Sequence, residues 1–240
     1  MNGFLHRPRR FNMLDQIDAV FLDAGGVLLK PDFRKIQNLF DDLSLEEEMI
    51  DKALYPVGCN VGAGLGPGDD DNKFVYDFAI SSGIPAERIR GNEERLQEII
   101  LFSEWVPRNR SEIKRAIQFL KRKNKKIVIV TNTENGLASN LLKKLEICSE
   151  DEEAETIEKV DKIIDSWVIG IHKPNPEIYK YSADQINVEI TRCLHIGDSV
   201  RNDYDCAREA GAQALLFRPY EPKQNNSIQS LLDLITDDND

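Results

Sequence analysis

Apolar residues gather along this chain in short runs, separated by longer stretches with helical spacing. The first run, Ala19-Val20-Phe21-Leu22, is too short for a typical helix and ends at Asp23, with Gly25 and Gly26 just beyond. A strand covered on both faces carries no charge until it leaves its sheet. The pattern predicts a buried parallel strand with Asp23 at its carboxyl end and glycines that let the backbone turn sharply there. The same reasoning predicts a strand over 126–130 that ends at Thr131-Asn132, and one over 163–169 that leaves through Gly170-Ile171-His172-Lys173-Pro174. Two more are predicted, over 193–196 before Gly197-Asp198-Ser199, and over 214–217.

Between these runs the period lengthens. Ile113, Ala116, Ile117 and Leu120 predict an amphipathic helix over 109–122, whose basic end, Lys121 to Lys126, suits a helix C-terminus. Ser44-Leu45-Glu46-Glu47 reads as a capping box opening a helix toward Leu54. Helices are also predicted over 34–40, over 74–80 with Asp69-Asp70-Asp71 at its start, and over 93–101. Others carry Leu141, Leu142 and Leu145 on one face, begin near Pro176, run over 201–210 to stop at Gly211, and close the chain over 227–235.

Short strands alternating with helices predict an α/β fold with a doubly wound, mostly parallel sheet. An all-helical block interrupts it after the first strand. The expected division is a tail over 1–14, an α/β core over 15–32 and 107–225, a helical insertion over 33–106, and a terminal helix with an acidic end over 226–240.

Composition narrows the classes. With 240 residues, 41% hydrophobic and 30% charged, the chain can bury a substantial core. A formal net charge of −11 argues against nonspecific nucleic-acid binding. No apolar run approaches a membrane span. Arg7, Arg9 and Arg10 have no apolar stretch behind them, so a frayed tail is expected rather than a secretory signal. Cys59, Cys148, Cys193 and Cys206 show no CxxC spacing and read as reduced thiols of a cytoplasmic protein. The glycine-rich stretch Gly58 to Gly68 does not follow a strand, which argues against a dinucleotide loop and for a mobile loop near a site entrance. The acidic stretch Ser149 to Glu158 reads as a solvent loop or short exposed helix.

The polar groups that end the strands carry the chemistry. Asp23, Thr131 with Asn132, Lys173, and Asp198 with Asp203 converge if the strands are parallel neighbours. Each has an ordinary structural use: Asp23 or Thr131 could cap a turn or helix, Lys173 could be a surface lysine, and Asp203 could face a helix dipole. Their occurrence in this order, each behind a strand, points instead to one site. Three carboxylates together repel unless a cation sits among them, and an oxygen-only cluster favours Mg2+. Lys173 and Thr131 could then hold a phosphoryl group, with Asp23 as nucleophile.

The motifs Phe21-Leu22-Asp23-Ala24-Gly25-Gly26-Val27-Leu28, Val128-Ile129-Val130-Thr131-Asn132, Lys173-Pro174-Asn175-Pro176 and His195-Ile196-Gly197-Asp198-Ser199-Val200-Arg201-Asn202-Asp203 resemble, in order, those of the haloacid dehalogenase-like hydrolases. The resemblance implies a Rossmann-like core with an inserted α-helical cap that selects substrates. It implies an aspartyl-phosphate formed on Asp23 and hydrolysed by water. Mg2+ would be held by Asp23, the Gly25 carbonyl and Asp198, with Asp203 holding or orienting its waters, and Thr131, Asn132 and Lys173 would bind substrate. The expected partner is a small phosphorylated metabolite.

One position departs from that pattern. Gly25 stands where phosphatases of the family usually carry an acid/base aspartate, a loss worth roughly 10²–10⁴ in rate if nothing substitutes. A metal-independent 2-haloacid dehalogenase, or a catalytically weak protein that binds a phosphorylated ligand, are the alternative readings. The Asp198/Asp203 pair argues against the dehalogenase.

Overall fold

The run Ala19–Leu22 forms β1, buried along its whole length. Its side chains alternate between the two faces of a sheet, as a strand requires. Val20 and Leu22 join one hydrophobic cluster, while Ala19 and Phe21 join another. Two covered faces explain why this strand is apolar without interruption, and each fully buried large side chain contributes about 1.5–3 kcal/mol.

The computed structural model describes residues 13–57, 69–100, 105–133, 135–151 and 157–235. After β1 the chain turns tightly, with Gly25 bridged to Leu29, into β2 (Leu29–Pro31). Helices α1 (Phe33–Leu39), α2 (Glu47–Val57), α3 (Asp69–Ser81), α4 (Ala86–Ile89) and α5 (Glu93–Ile100) follow. They enclose a hydrophobic cluster of their own that includes Ile36, Phe40, Phe78 and Leu96. The chain returns through β3 (Trp105–Pro107), which pairs antiparallel with β2 so that Lys30 lies opposite Val106. The insertion is thus tied to the core by a two-stranded stem, with β2 just before the boundary expected at 32 and β3 across the one expected at 107. Short strands interrupted by helical spacing gave no sign of it.

The core continues with α6 (Arg110–Arg122), β4 (Lys126–Thr131), α7 (Ala138–Lys144), β5 (Cys148–Ser149), β6 (Glu158–Lys159) and β7 (Lys162–Asp165). Then come α8 (Ser166–Ile169), α9 (Glu177–Gln185), β8 (Cys193–Gly197), α10 (Cys206–Ala210), β9 (Gln213–Phe217) and β10 (Ser227–Ile228). The main sheet has the order β10-β9-β8-β1-β4-β7 and is parallel throughout. Leu22 is in register with Ile129 on one side and Ile196 on the other. Helix α6 covers one face with Ile113, Ile117 and Leu120, while Tyr179 of α9 and Ala207 of α10 cover the other. No described helix is long and apolar enough to cross a membrane.

Several local expectations are corrected. The stretch 163–169 is not one strand: β7 stops at Asp165, whose side chain accepts the Trp167 amide and caps α8. The expected terminal helix over 227–235 is instead β10, paired with β9, followed by a single 3-10 turn over Leu231–Leu234. That segment is therefore part of the sheet. A capping box does form there, on Ser230 and Asp233, whereas α2 starts at Glu47, too late for Ser44 to cap it. Asn109 caps α6 as its position suggests. Only the ends of the acidic stretch, Ser149 and Glu158, fall in strands, in the small parallel pair β5 and β6, while residues 152–156 lie outside the described residues. The expectations for residues 1–12, for Gly58 to Gly68 with Cys59, and for the acidic end 236–240 lie outside the described residues.

Candidate active site

β1 has β4 on one side and β8 on the other, and the chain reaches β8 only after completing the β4–β7 side. Connections leaving in opposite directions open a crevice at the carboxyl ends of these strands. Asp23 leaves β1 there, its amide donating to the Ile196 carbonyl at 2.9 Å. A cavity of about 380 Å³ opens on it, and Asp23, Gly25, Thr131, Asn132, Lys173, Asp198 and Asp203 all line it. All seven residues singled out from the sequence are brought to one place.

Lys173 is the hub. Its ammonium lies 2.7 Å from Oδ1 of Asp203 and 3.0 Å from Oδ1 of Asp23, with only 2% of the residue exposed. Burial works against its charge, but Asp203 and Asp23 overcome that and hold the proton above the ordinary lysine range. Asn132 fixes the backbone at this point. Its side-chain amide donates to the Lys173 carbonyl and its side-chain oxygen accepts the Lys173 amide, both at 2.9 Å. Both polar ends of Asn132 are thereby committed to the Lys173 backbone.

Asp203 is saturated. Oδ1 accepts from Lys173, from Nε2 of His195 at 3.0 Å and, more weakly, from the Tyr179 hydroxyl at 3.5 Å, while Oδ2 accepts the Ser199 amide at 2.9 Å. Burial alone would raise its pKa, yet Lys173 and His195 hold it well below the usual carboxylate range. Burial pushes His195 toward the neutral form, so the proton it places on Nε2 faces an ionised carboxylate. Asp203 is thus built to orient Lys173 and His195. His195 and Tyr179 carried no expected role; a polar side chain in the middle of a buried strand was the signal for the first.

Asp23 and Asp198 are in the opposite electrostatic state. Burial raises Asp23 well above its usual value; Lys173 opposes this, and Asp203 and Asp198 add to it. Burial, with repulsion from Asp203, pushes Asp198 up to about 7. Oδ1 of Asp23 is anchored by the Ala24 amide at 2.8 Å as well as by Lys173. Ligand atoms of Asp23, Asp198 and Asp203 all lie within 4.8 Å of one another. Three buried carboxylates against one contacting ammonium is a donor set that fits a hard divalent cation.

Two glycines make room for this. Gly26 has φ of +73°, and a Cβ there would fall 2.1 Å from Oδ2 of Asp198. A Cβ on Gly197 would fall 2.2 Å from Cγ of Asp203. Thr131 ends β4 buried, its hydroxyl only weakly engaged with the Asn132 carbonyl at 3.4 Å.

Residues farther along the chain support the loop from behind. Arg218, just past β9, donates to the Asp198 carbonyl and stacks its guanidinium 4.0 Å from the ring centroid of Tyr55 on α2. Asp51, one turn earlier on α2, forms a buried ion pair with Arg108. The insertion therefore grips two core arginines, and one of them holds the backbone of Asp198. Nothing in the spacing of these residues announced the contact.

The sequence profile of the haloacid dehalogenase-like hydrolases matches residues 17–211. No curated protein matches the chain. Among solved structures, the HAD-hydrolase YfnB from Bacillus subtilis, bound to magnesium, is similar over 91% of this chain and 96% of its own, with a TM-score of 0.57 and 17% identity. A HAD phosphatase from Thermococcus onnurineus has a TM-score of 0.53 and 17% identity over the same shares. A 2-haloacid dehalogenase from Pseudomonas syringae pv. tomato has a TM-score of 0.53 and 16% identity, again over 91% and 96%. At such identities these structures speak for the fold alone, a parallel α/β sheet with an inserted helical block. The profile, which spans the strand-end residues from Asp23 to Asp203, establishes that the chain belongs to the haloacid dehalogenase-like hydrolases.

Proposed function

We propose that the protein is a Mg2+-dependent phosphohydrolase that acts on a small phosphorylated metabolite through an aspartyl-phosphate on Asp23. The observation that carries this reading is the charge imbalance at the sheet edge: three buried carboxylates share a space under 5 Å wide with one ammonium in contact among the described residues. Asp23, the Gly25 carbonyl and Asp198 would hold the cation. When bound, it supplies positive charge against the developing phosphoryl charge.

The chain's own groups do the rest. Asp23, with Oδ1 fixed, presents a carboxylate to phosphorus. The Lys173 ammonium and the Thr131 hydroxyl receive phosphoryl oxygens. Asp203 and Asn132 keep Lys173 in place, so its charge acts without reorganising. Water then attacks the aspartyl-phosphate and restores the carboxylate. The helical insertion would serve as the cap, and the cavity volume suits a small substrate.

The test is hydrolysis of p-nitrophenyl phosphate with Mg2+, abolished by Asp23→Asn and by chelation. The apolar lining residues Leu54, Ile100 and Trp105 favour one second reading, a 2-haloacid dehalogenase. Chloride release from a 2-haloacid in the presence of chelator would establish that instead. Stoichiometric binding of phosphate esters without turnover would make this a binding protein.

A further inference from the structure

Gly25 and Trp105 face each other beside Asp23. A Cβ on Gly25 would sit 3.6 Å from Cη2 and Cζ3 of Trp105, so the benzo edge of the indole fills the space a side chain at 25 would enter. The ring is held in that orientation, because Nε1 donates to the Ile100 carbonyl at 2.9 Å and the backbone pairs opposite Pro31. Trp105 also packs against both the core cluster and the cluster of the insertion. It continues an apolar wall. Every described cavity-lining residue from the stem and the insertion is apolar, Leu29, Leu54, Ile100 and Trp105, and the one N–H among their side chains, on Trp105, is spent on the Ile100 carbonyl. The titratable groups all come from the sheet edge or from α7. The Lys173 ammonium is engaged by Asp203 and Asp23, at the sheet edge rather than on this wall.

A leaving group that meets this wall finds a flat apolar surface and no acid among the described residues. Resting on the phosphohydrolase reading, we infer that the substrate is an aryl phosphate monoester whose ring lies against Trp105 and departs as an aryloxide, taking no proton from the protein. An Asp23 oxygen bonds to phosphorus as the bond from phosphorus to the aryl oxygen breaks. The electron pair leaves on that oxygen and delocalises into the ring, and solvent protonates the released aryloxide. Water then attacks the aspartyl-phosphate, freeing phosphate and the Asp23 carboxylate, and its proton goes to solvent. A sugar or other alkyl phosphate lacks both properties: its oxygen needs a proton to leave, and its hydroxyls find no partner on the wall.

The experiment measures kcat/KM of the full chain with Mg2+ on substituted phenyl phosphates of graded leaving-group basicity, on glycerol phosphate and a hexose phosphate, and on acetyl phosphate. The expected result is a steep fall in kcat/KM as the phenol becomes more basic, with the alkyl phosphates slower than p-nitrophenyl phosphate by roughly 10²–10⁴. Trp105→Ala should reduce the preference for phenyl over acetyl phosphate about tenfold, and Trp105→Phe, which keeps a ring, should retain most of it. A flat dependence on leaving group, alkyl phosphates turned over as fast as aryl ones, or an unchanged phenyl preference in Trp105→Ala would overturn the inference while leaving the phosphohydrolase intact. Failure to hydrolyse any phosphoryl donor would overturn both.

Discussion

Lys173 and Asp203, thirty residues apart in sequence, form a buried ion pair at 2.7 Å behind Asp23. Asp203 is almost wholly buried, and its four hydrogen bonds come from Lys173, His195, Tyr179 and the Ser199 amide. The pair sets the position of the ammonium before any substrate arrives.

Asp203→Asn leaves that ammonium with one carboxylate partner, and whichever way the amide turns its NH2 meets a donor, the Ser199 amide on one side or His195 and Lys173 on the other. Removing one member of a buried pair costs about 3–5 kcal/mol. The variant should lower the urea midpoint accordingly. A displaced Lys173 should also reduce kcat by on the order of 10². An unchanged midpoint would show that the pair is not a source of stability.

Cation binding should depend on pH, because burial and Asp203 raise Asp198 to about 7. Below that value a proton competes for the same oxygens, and Asp23, also raised well above its usual value, holds another, so Mg2+ affinity should fall by about tenfold or more per pH unit as the solution is made more acid. The sign is that of a raised carboxylate: the folded, metal-free protein holds this proton up to about 7, and the cation displaces it. Calorimetry at pH 6 in buffers of different ionisation enthalpy should register more proton release than the same titration at pH 8. Equal release at both would refute the assignment.

The contact between the insertion and the core makes a separate claim. Asp51 and Tyr55 lie one turn apart on α2 and engage Arg108 and Arg218. Asp51→Ala strands a largely buried guanidinium and should cost about 3 kcal/mol or more. Asp51→Leu combined with Arg108→Met should recover most of that, since an apolar pair of similar volume carries no desolvation penalty. Urea unfolding of the single and double variants decides it. A double variant as unstable as Asp51→Ala would contradict the argument.

Gly25 offers a gain-of-function test. Among the described residues nothing but the indole stands near its missing side chain, and that contact is at ordinary van der Waals distance. Gly25→Asp combined with Trp105→Ala places a carboxyl beside the leaving oxygen and clears the space for it. Alkyl phosphate hydrolysis should rise by ~10² relative to Trp105→Ala alone. No gain in a variant that still binds Mg2+ would mean that proton donation does not limit these substrates.

Local pattern carried a good part of this protein. Short apolar runs ending in Asp23, Thr131 and Gly197-Asp198 were readable as buried strands with chemistry at their exits, because a strand covered on both faces admits a charge only where it ends. Asn109, Pro176 and Gly211 marked helix ends through backbone geometry that neighbouring residues alone impose. The roles within the site were not readable in this way. That Asn132 spends its side chain on Lys173, and that Asp203 is filled by four donors, depends on which strand lies next to which.

Other features arise only from packing across long loops. The stem joins residues 29–31 to 105–107. Ser227–Ile228 became a strand because β9 offered it an open edge. Trp105 found the gap over Gly25, and Arg218 reached Tyr55 and the Asp198 carbonyl. Sequence by itself determined which segments are buried and where each must surface, since hydrophobic period and turn chemistry act over a few residues. Tertiary structure alone decided which surfaced groups touch, because those contacts depend on strand order and on how the insertion folds back.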